Sequence, residues 1–159
     1  MTKKFSMIFL TAAIMAVMPR PGSTHCEIPC GIYDDAMRYD MLEEHITTIE
    51  KSINMITELS AEGDKNYNQL VRWVVNKEDH CTQFMDIVWQ YFLNQRIKPA
   101  APDTRAAYDD YIAQLTTMHE MLIYAMKCKQ TTDLAHVEKL KELVARSREL
   151  YFKDHGHEH

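Results

Sequence analysis

Residues 34–63 read DDAMRYDMLEEHITTIEKSINMITELSAEG. Leu42, Ile46, Ile49, Ile53, Ile56 and Leu59 recur at steps of four, three, four, three and three, the spacing of one face of a helix. Charged and polar residues fill the other faces, so this helix must bury one stripe against partners. Asp34 or Asp35 can cap its start, and Gly63 stands where a left-handed residue stops a helix.

The same pattern continues outward. A second helix is expected from about 66 to 95, with Leu70, Val74, Cys81, Phe84, Val88 and Tyr91 inward, until Lys98, Pro99 and Pro102 break it. Pro102-Asp103 opens a third, carrying Tyr108, Tyr111 or Ile112, Leu115, Met118, Leu122 and Ala125. Thr131-Thr132-Asp133 caps a fourth, with Leu134, Val137, Leu140, Leu143 or Val144, and Leu150 inward. Short connections make successive helices antiparallel neighbours, so the expected fold is all-α, an up-down four-helix bundle. Four glycines and five prolines in 159 residues fit that reading and exclude a sandwich or barrel. A net charge of −5 argues against a nucleic-acid partner.

The first 24 residues have a different character. Lys3 and Lys4 precede an apolar run from Phe5 to Met18, followed by Pro19, Arg20, Pro21, Gly22, Ser23 and Thr24. That is the pattern of an export signal. Fourteen residues at ~1.5 Å each span about 21 Å, short of the ~30 Å hydrocarbon core, so no stable membrane anchor is expected. Residues 1–24 are read as a cleaved leader, a signal peptide or a propeptide, and 25–159 as the working domain. Export to a periplasmic, lumenal or extracellular compartment follows from a signal peptide; a propeptide leaves the cytoplasm as the alternative. Taking Lys3, Lys4 and Arg20 from 18 basic residues leaves 15 against 23 acidic ones, a net charge of −8. A processing peptidase that cuts after Thr24 exposes His25.

The chemically dense stretch is His25-Cys26-Glu27-Ile28-Pro29-Cys30-Gly31-Ile32-Tyr33. After cleavage His25 offers an α-amine and an imidazole. Cys26 offers a thiolate and a backbone amide, and Cys30 a second thiolate. Pro29 and Gly31 bend the chain so that both sulfurs can face one ion. Two nitrogens and two sulfurs in a plane suit Ni(II) or Cu(II), whereas zinc prefers a tetrahedron. The competing reading is a disulfide of Cys26 and Cys30, alone or with Cys81 and Cys128. The His-Cys start and the Pro-Cys-Gly-x-Tyr continuation favour metal.

This stretch resembles the hook of the nickel superoxide dismutase family, His-Cys-x-x-Pro-Cys-Gly-x-Tyr, at His25, Cys26, Pro29, Cys30, Gly31 and Tyr33. The likeness extends over most of the working domain, through its helical layout and Trp89-Gln90-Tyr91-Phe92. It implies a homohexamer with one nickel ion per subunit. It also implies dismutation of superoxide to dioxygen and hydrogen peroxide through a Ni(III)/Ni(II) couple. His25, Cys26 and Cys30 are then the ligands, Tyr33 orders solvent or supplies a proton, and Tyr91 joins it. The family's glutamate on the first helix falls, read without gaps, at Met41, beside Asp40, Glu43 and Glu44. Its arginine falls near His80. Glu44 and His80 are therefore the candidates to orient the axial imidazole. The alternative function is a nickel or copper carrier without turnover, using the hook and the tail His155-Gly156-His157-Glu158-His159. His45, His119 and His136 read as ordinary core or surface histidines, Cys81 and Cys128 as buried thiols, and Tyr108, Tyr111, Tyr124 and Tyr151 as packing residues.

Overall fold

A computed structural model describes residues 34–155, with side chains to Lys153. These residues all fall within one compact unit. The hook ligands, Tyr33, the leader and the end of the histidine tail lie outside the described residues.

Among the described residues there are four α-helices: α1, Asp35–Ala61; α2, Tyr67–Asp86; α3, Arg105–Gln130; and α4, Leu134–His155. A 3-10 turn, Gly63–Asn66, joins the first two, and a wide π-helical stretch, Ile87–Arg96, prolongs α2. α1 packs against α2 and α4, and α3 packs against the same two neighbours. Cross-helix contacts fix the directions. Ser52 meets Asn76 while His45 meets His80, and Glu50 meets Lys141 while Asp40 meets Arg148. Asp110 meets Lys153 while Tyr124 meets His136, so neighbouring helices run antiparallel.

The expected stripe on α1 is buried at every position from Leu42 to Leu59. Asp34 supplies the N-cap, its Oδ1 accepting from the Met37 amide at 3.1 Å. Gly63 takes φ +78°, a conformation without steric cost only for glycine. Asp133 caps α4 through the Ala135 amide at 2.9 Å.

Two expected core positions are exposed. Val74 and Leu134 are each 38% accessible, and Tyr67, Val71 and Val75 are exposed as well. The cause is helix length. α3 stops at Gln130, opposite Lys77, so the first turns of α2 run past its end and are left uncovered by it, while α1 still meets them through Lys51 over the Trp73 ring. Leu134 lies in the first turn of α4 at the same end.

Lys77 closes that junction. Its buried ammonium donates to the carbonyls of Cys128 at 2.9 Å, Lys129, and Thr131 at 3.3 Å. A lysine here satisfies the carbonyls that a helix C-terminus leaves open, and its charge favours the negative end of the helix dipole. Lys77→Met should cost about 2 kcal/mol or more, because buried carbonyls lose a charged donor. Urea unfolding of the two chains measures that difference.

Candidate functional site

Three features of the bundle carry chemistry. The first stands at the start of α1, directly after the hook. Asp35, in the first helical turn, does not cap the helix; its carboxylate turns inward. Its Oδ2 accepts from the Tyr151 hydroxyl at 2.7 Å, and its Oδ1 accepts from the Tyr91 hydroxyl. Arg96 Nε lies 3.0 Å from Oδ1, an ion-pair distance, although its N–H is aimed off the oxygen. The Arg96 hydrogen bond runs from Nη2 to the Tyr91 hydroxyl at 2.8 Å. Arg38 and Arg96 place their guanidinium carbons 5.0 and 4.9 Å from the centroid of the Tyr91 ring. Two cations thus stack on one ring, and one of them, Arg96, also pairs with the Asp35 carboxylate.

Burial raises the pKa of Tyr91, and its hydrogen bond to Asp35 raises it further. The same two causes raise Tyr151. Both phenols therefore stay protonated and donate to the carboxylate. The aromatic layer continues inward through Tyr39, Phe92 and Phe152, with Tyr39 and Phe92 centroids 4.7 Å apart. Tyr39 closes its own polar end on Ser147 at 2.9 Å.

The second feature joins α1 to α2. His45 Nδ1 and His80 Nδ1 are 2.9 Å apart, with the rings edge to face. One nitrogen must donate and the other accept, so at least one ring is neutral. His80 thus meets His45 through its Nδ1, while the hook imidazole it was expected to orient lies outside the described residues. Glu44 points to solvent and acts on His45 only through its charge. The helical spacing of His45 was visible, but its partner lies 35 residues away and left no local signal.

Burial lowers the pKa of His45, the neighbouring His80 lowers it further, and Glu44 opposes both. A depressed folded-state pKa means that neutral His45 contributes stability above the ordinary value of 6.5. That contribution is lost as pH falls through the lower folded-state value. Acid unfolding of His45→Gln should lack this part of the decline, and equilibrium unfolding at stepped pH measures it.

The third feature is a pair of thiols. Cys81 and Cys128 are free and fully buried, and burial pushes them up to about 12 and about 11. Neither supplies a thiolate at neutral pH. Among the described residues, no group of three or more His, Cys, Asp or Glu side chains is arranged to hold a metal.

Tyr91 therefore lies in the Asp35 cluster and His80 in the histidine pair, while Glu44 joins neither. Asp35, Arg38, Arg96 and Tyr151 belong to the first cluster and were not anticipated as site residues. The profile of the nickel-containing superoxide dismutase family matches residues 20–155. No curated protein and no solved structure matches the chain.

Proposed function

The chain belongs to the nickel-containing superoxide dismutase family, and from that premise we propose that its metal centre is the hook His25, Cys26 and Cys30. Family membership makes it a nickel-binding oxidoreductase that acts on superoxide. The contrast among its cysteines carries the finer reading. Cys81 and Cys128 are sealed in the core, and no further ligating side chains are grouped with them among the described residues, which favours Cys26 and Cys30 as the thiolate donors. An α-amine, an amide and two thiolates fit nickel well, and the His25 imidazole completes the set. One nickel ion per chain is the expected load. When bound, nickel supplies the Ni(III)/Ni(II) couple that takes an electron from one superoxide and returns it to another.

The protein's own groups have separable tasks. Tyr33 orders solvent or delivers a proton as peroxide forms. Superoxide is an anion, so its capture by a chain of net charge −8 needs local positive charge, a task to which the side chains of Arg38 and Arg96 are suited. Tyr91 directs its proton to Asp35, which favours Tyr33 over Tyr91 as the proton source. Removal of residues 1–24 by a peptidase turns the His25 nitrogen from an amide into a far better donor.

Assembly with further copies, a homohexamer by family resemblance, belongs to the same reading. The uncovered row Tyr67, Val71, Val74 and Val75 is an apolar surface suited to a second copy. If it serves that role, Val71→Glu with Val75→Glu should lower the mass measured by light scattering. An unchanged mass would remove this row from the interface. Export remains the proposed localisation, with a cytoplasmic propeptide protein as the alternative.

The decisive test uses protein that begins at His25. It should bind about one nickel per chain and consume superoxide, and Cys26→Ser or Cys30→Ser should abolish consumption, since the thiolates are metal ligands. The chain beginning at Met1 should be inactive. Tight nickel binding without consumption would favour a carrier, and full activity in the uncut chain would contradict the N-terminal ligand.

A further inference from the structure

His45 on α1 and His80 on α2 face each other across the contact between the two helices. Their Nδ1 atoms are 2.9 Å apart and their rings meet edge to face. That separation has two chemical meanings. It is the length of a hydrogen bond, in which one Nδ1–H points at the other Nδ1. It is also the distance between two imidazole nitrogens that share one metal ion. Metal–imidazole bonds of about 2.0–2.1 Å meeting at a right angle put the nitrogens about 2.9 Å apart, and a tetrahedral angle puts them about 3.3 Å apart. The right angle belongs to tetragonal Ni(II) or Cu(II) rather than to zinc.

The two helices hold the pair at this spacing. Leu42, Ile46 and Ile49 are core residues around His45, and Cys81 and Phe84 are core residues beside His80. One turn before His80, Asn76 Nδ2 donates to Ser52 Oγ at 2.9 Å, two turns beyond His45. Burial lowers the pKa of His45, so its ring is neutral at neutral pH and keeps a lone pair to give. The Glu44 carboxylate acts on the same ring through its charge, which favours a cation there. His45 is buried and His80 half-buried, so the pair is open to water on one side only.

We propose that His45 and His80 form a two-imidazole site for a tetragonal divalent ion such as Ni(II), which bridges α1 and α2. Water completes the coordination, since among the described residues no third His, Cys, Asp or Glu is grouped with the pair. Binding releases no proton. The ring that donates in the metal-free pair carries its proton on Nε2 instead, and both Nδ1 lone pairs go to the ion. The site uses none of the hook residues, and its test does not depend on nickel binding there.

The test uses the full chain with Cys26→Ser and Cys30→Ser, so that the hook thiolates take no metal, and adds Ni(II) alone. Equilibrium dialysis counts nickel per chain in this parent and in the same chain carrying His45→Gln, His80→Gln or His119→Gln. The tail histidines are present in all four and cancel in the differences. The parent should bind one nickel more than the His45→Gln and His80→Gln chains. It should bind the same amount as the His119→Gln chain, whose histidine is exposed on α3. Saturating nickel should also raise the urea midpoint of the parent more than that of the His80→Gln chain, because an ion on the folded pair stabilises the fold. His80 is the less buried of the two, so His80→Gln carries the test if His45→Gln does not fold. Equal nickel in the parent and the His80→Gln chain would overturn the proposal and leave the pair as a hydrogen bond alone. A loss of the same size in the His119→Gln chain would overturn it as well.

Discussion

The carboxylate of Asp35 is the constraint on which the hook-bearing end of the bundle depends. It collects two buried phenols and an arginine from two other elements, and each of those groups would be costly to bury without it. The N-terminus of a helix is a favourable place for such a charge, since the dipole and the open amides both stabilise an anion. Asp34 takes the capping task, which frees Asp35 to turn inward. Two adjacent aspartates thus divide two tasks, one local to the helix and one that joins helices.

The opposite end of the bundle follows a different rule. There Lys77 holds the last carbonyls of α3, and α2 continues past that point with an apolar row uncovered. Between the two ends the core is conventional, apart from the histidine pair. The four cysteines divide along the same lines. Two are sealed in the core as neutral thiols, and the other two stand in a segment whose residue types suit a metal. Burial is what makes the first pair chemically quiet.

The helices were legible because hydrophobic periodicity survives in each of them, most cleanly in Leu42 to Leu59. Caps at Asp34 and Asp133 and the stop at Gly63 were legible for the same reason, as local chemistry with local signals. Val74 and Leu134 were misread because periodicity reports which face is apolar, not how far a neighbouring helix extends to cover it. Tyr151 looked like packing because its partner Asp35 is 116 residues away. The π-helical register was hidden too, since Ile87–Arg96 contains no proline or glycine to mark it. The hook reading has a different basis: its proposed ligands are contiguous, so a donor set can be proposed from sequence without a fold.

The central claim is that cutting the chain at His25 creates a nickel centre with mixed nitrogen and sulfur ligands, which the bundle then mounts. X-ray absorption at the nickel edge, on protein that begins at His25, tests it most directly. The account predicts sulfur scatterers from Cys26 and Cys30 together with nitrogen donors, and no sulfur contribution when both cysteines are serine. A nickel shell of nitrogen and oxygen alone in the unaltered hook would contradict it.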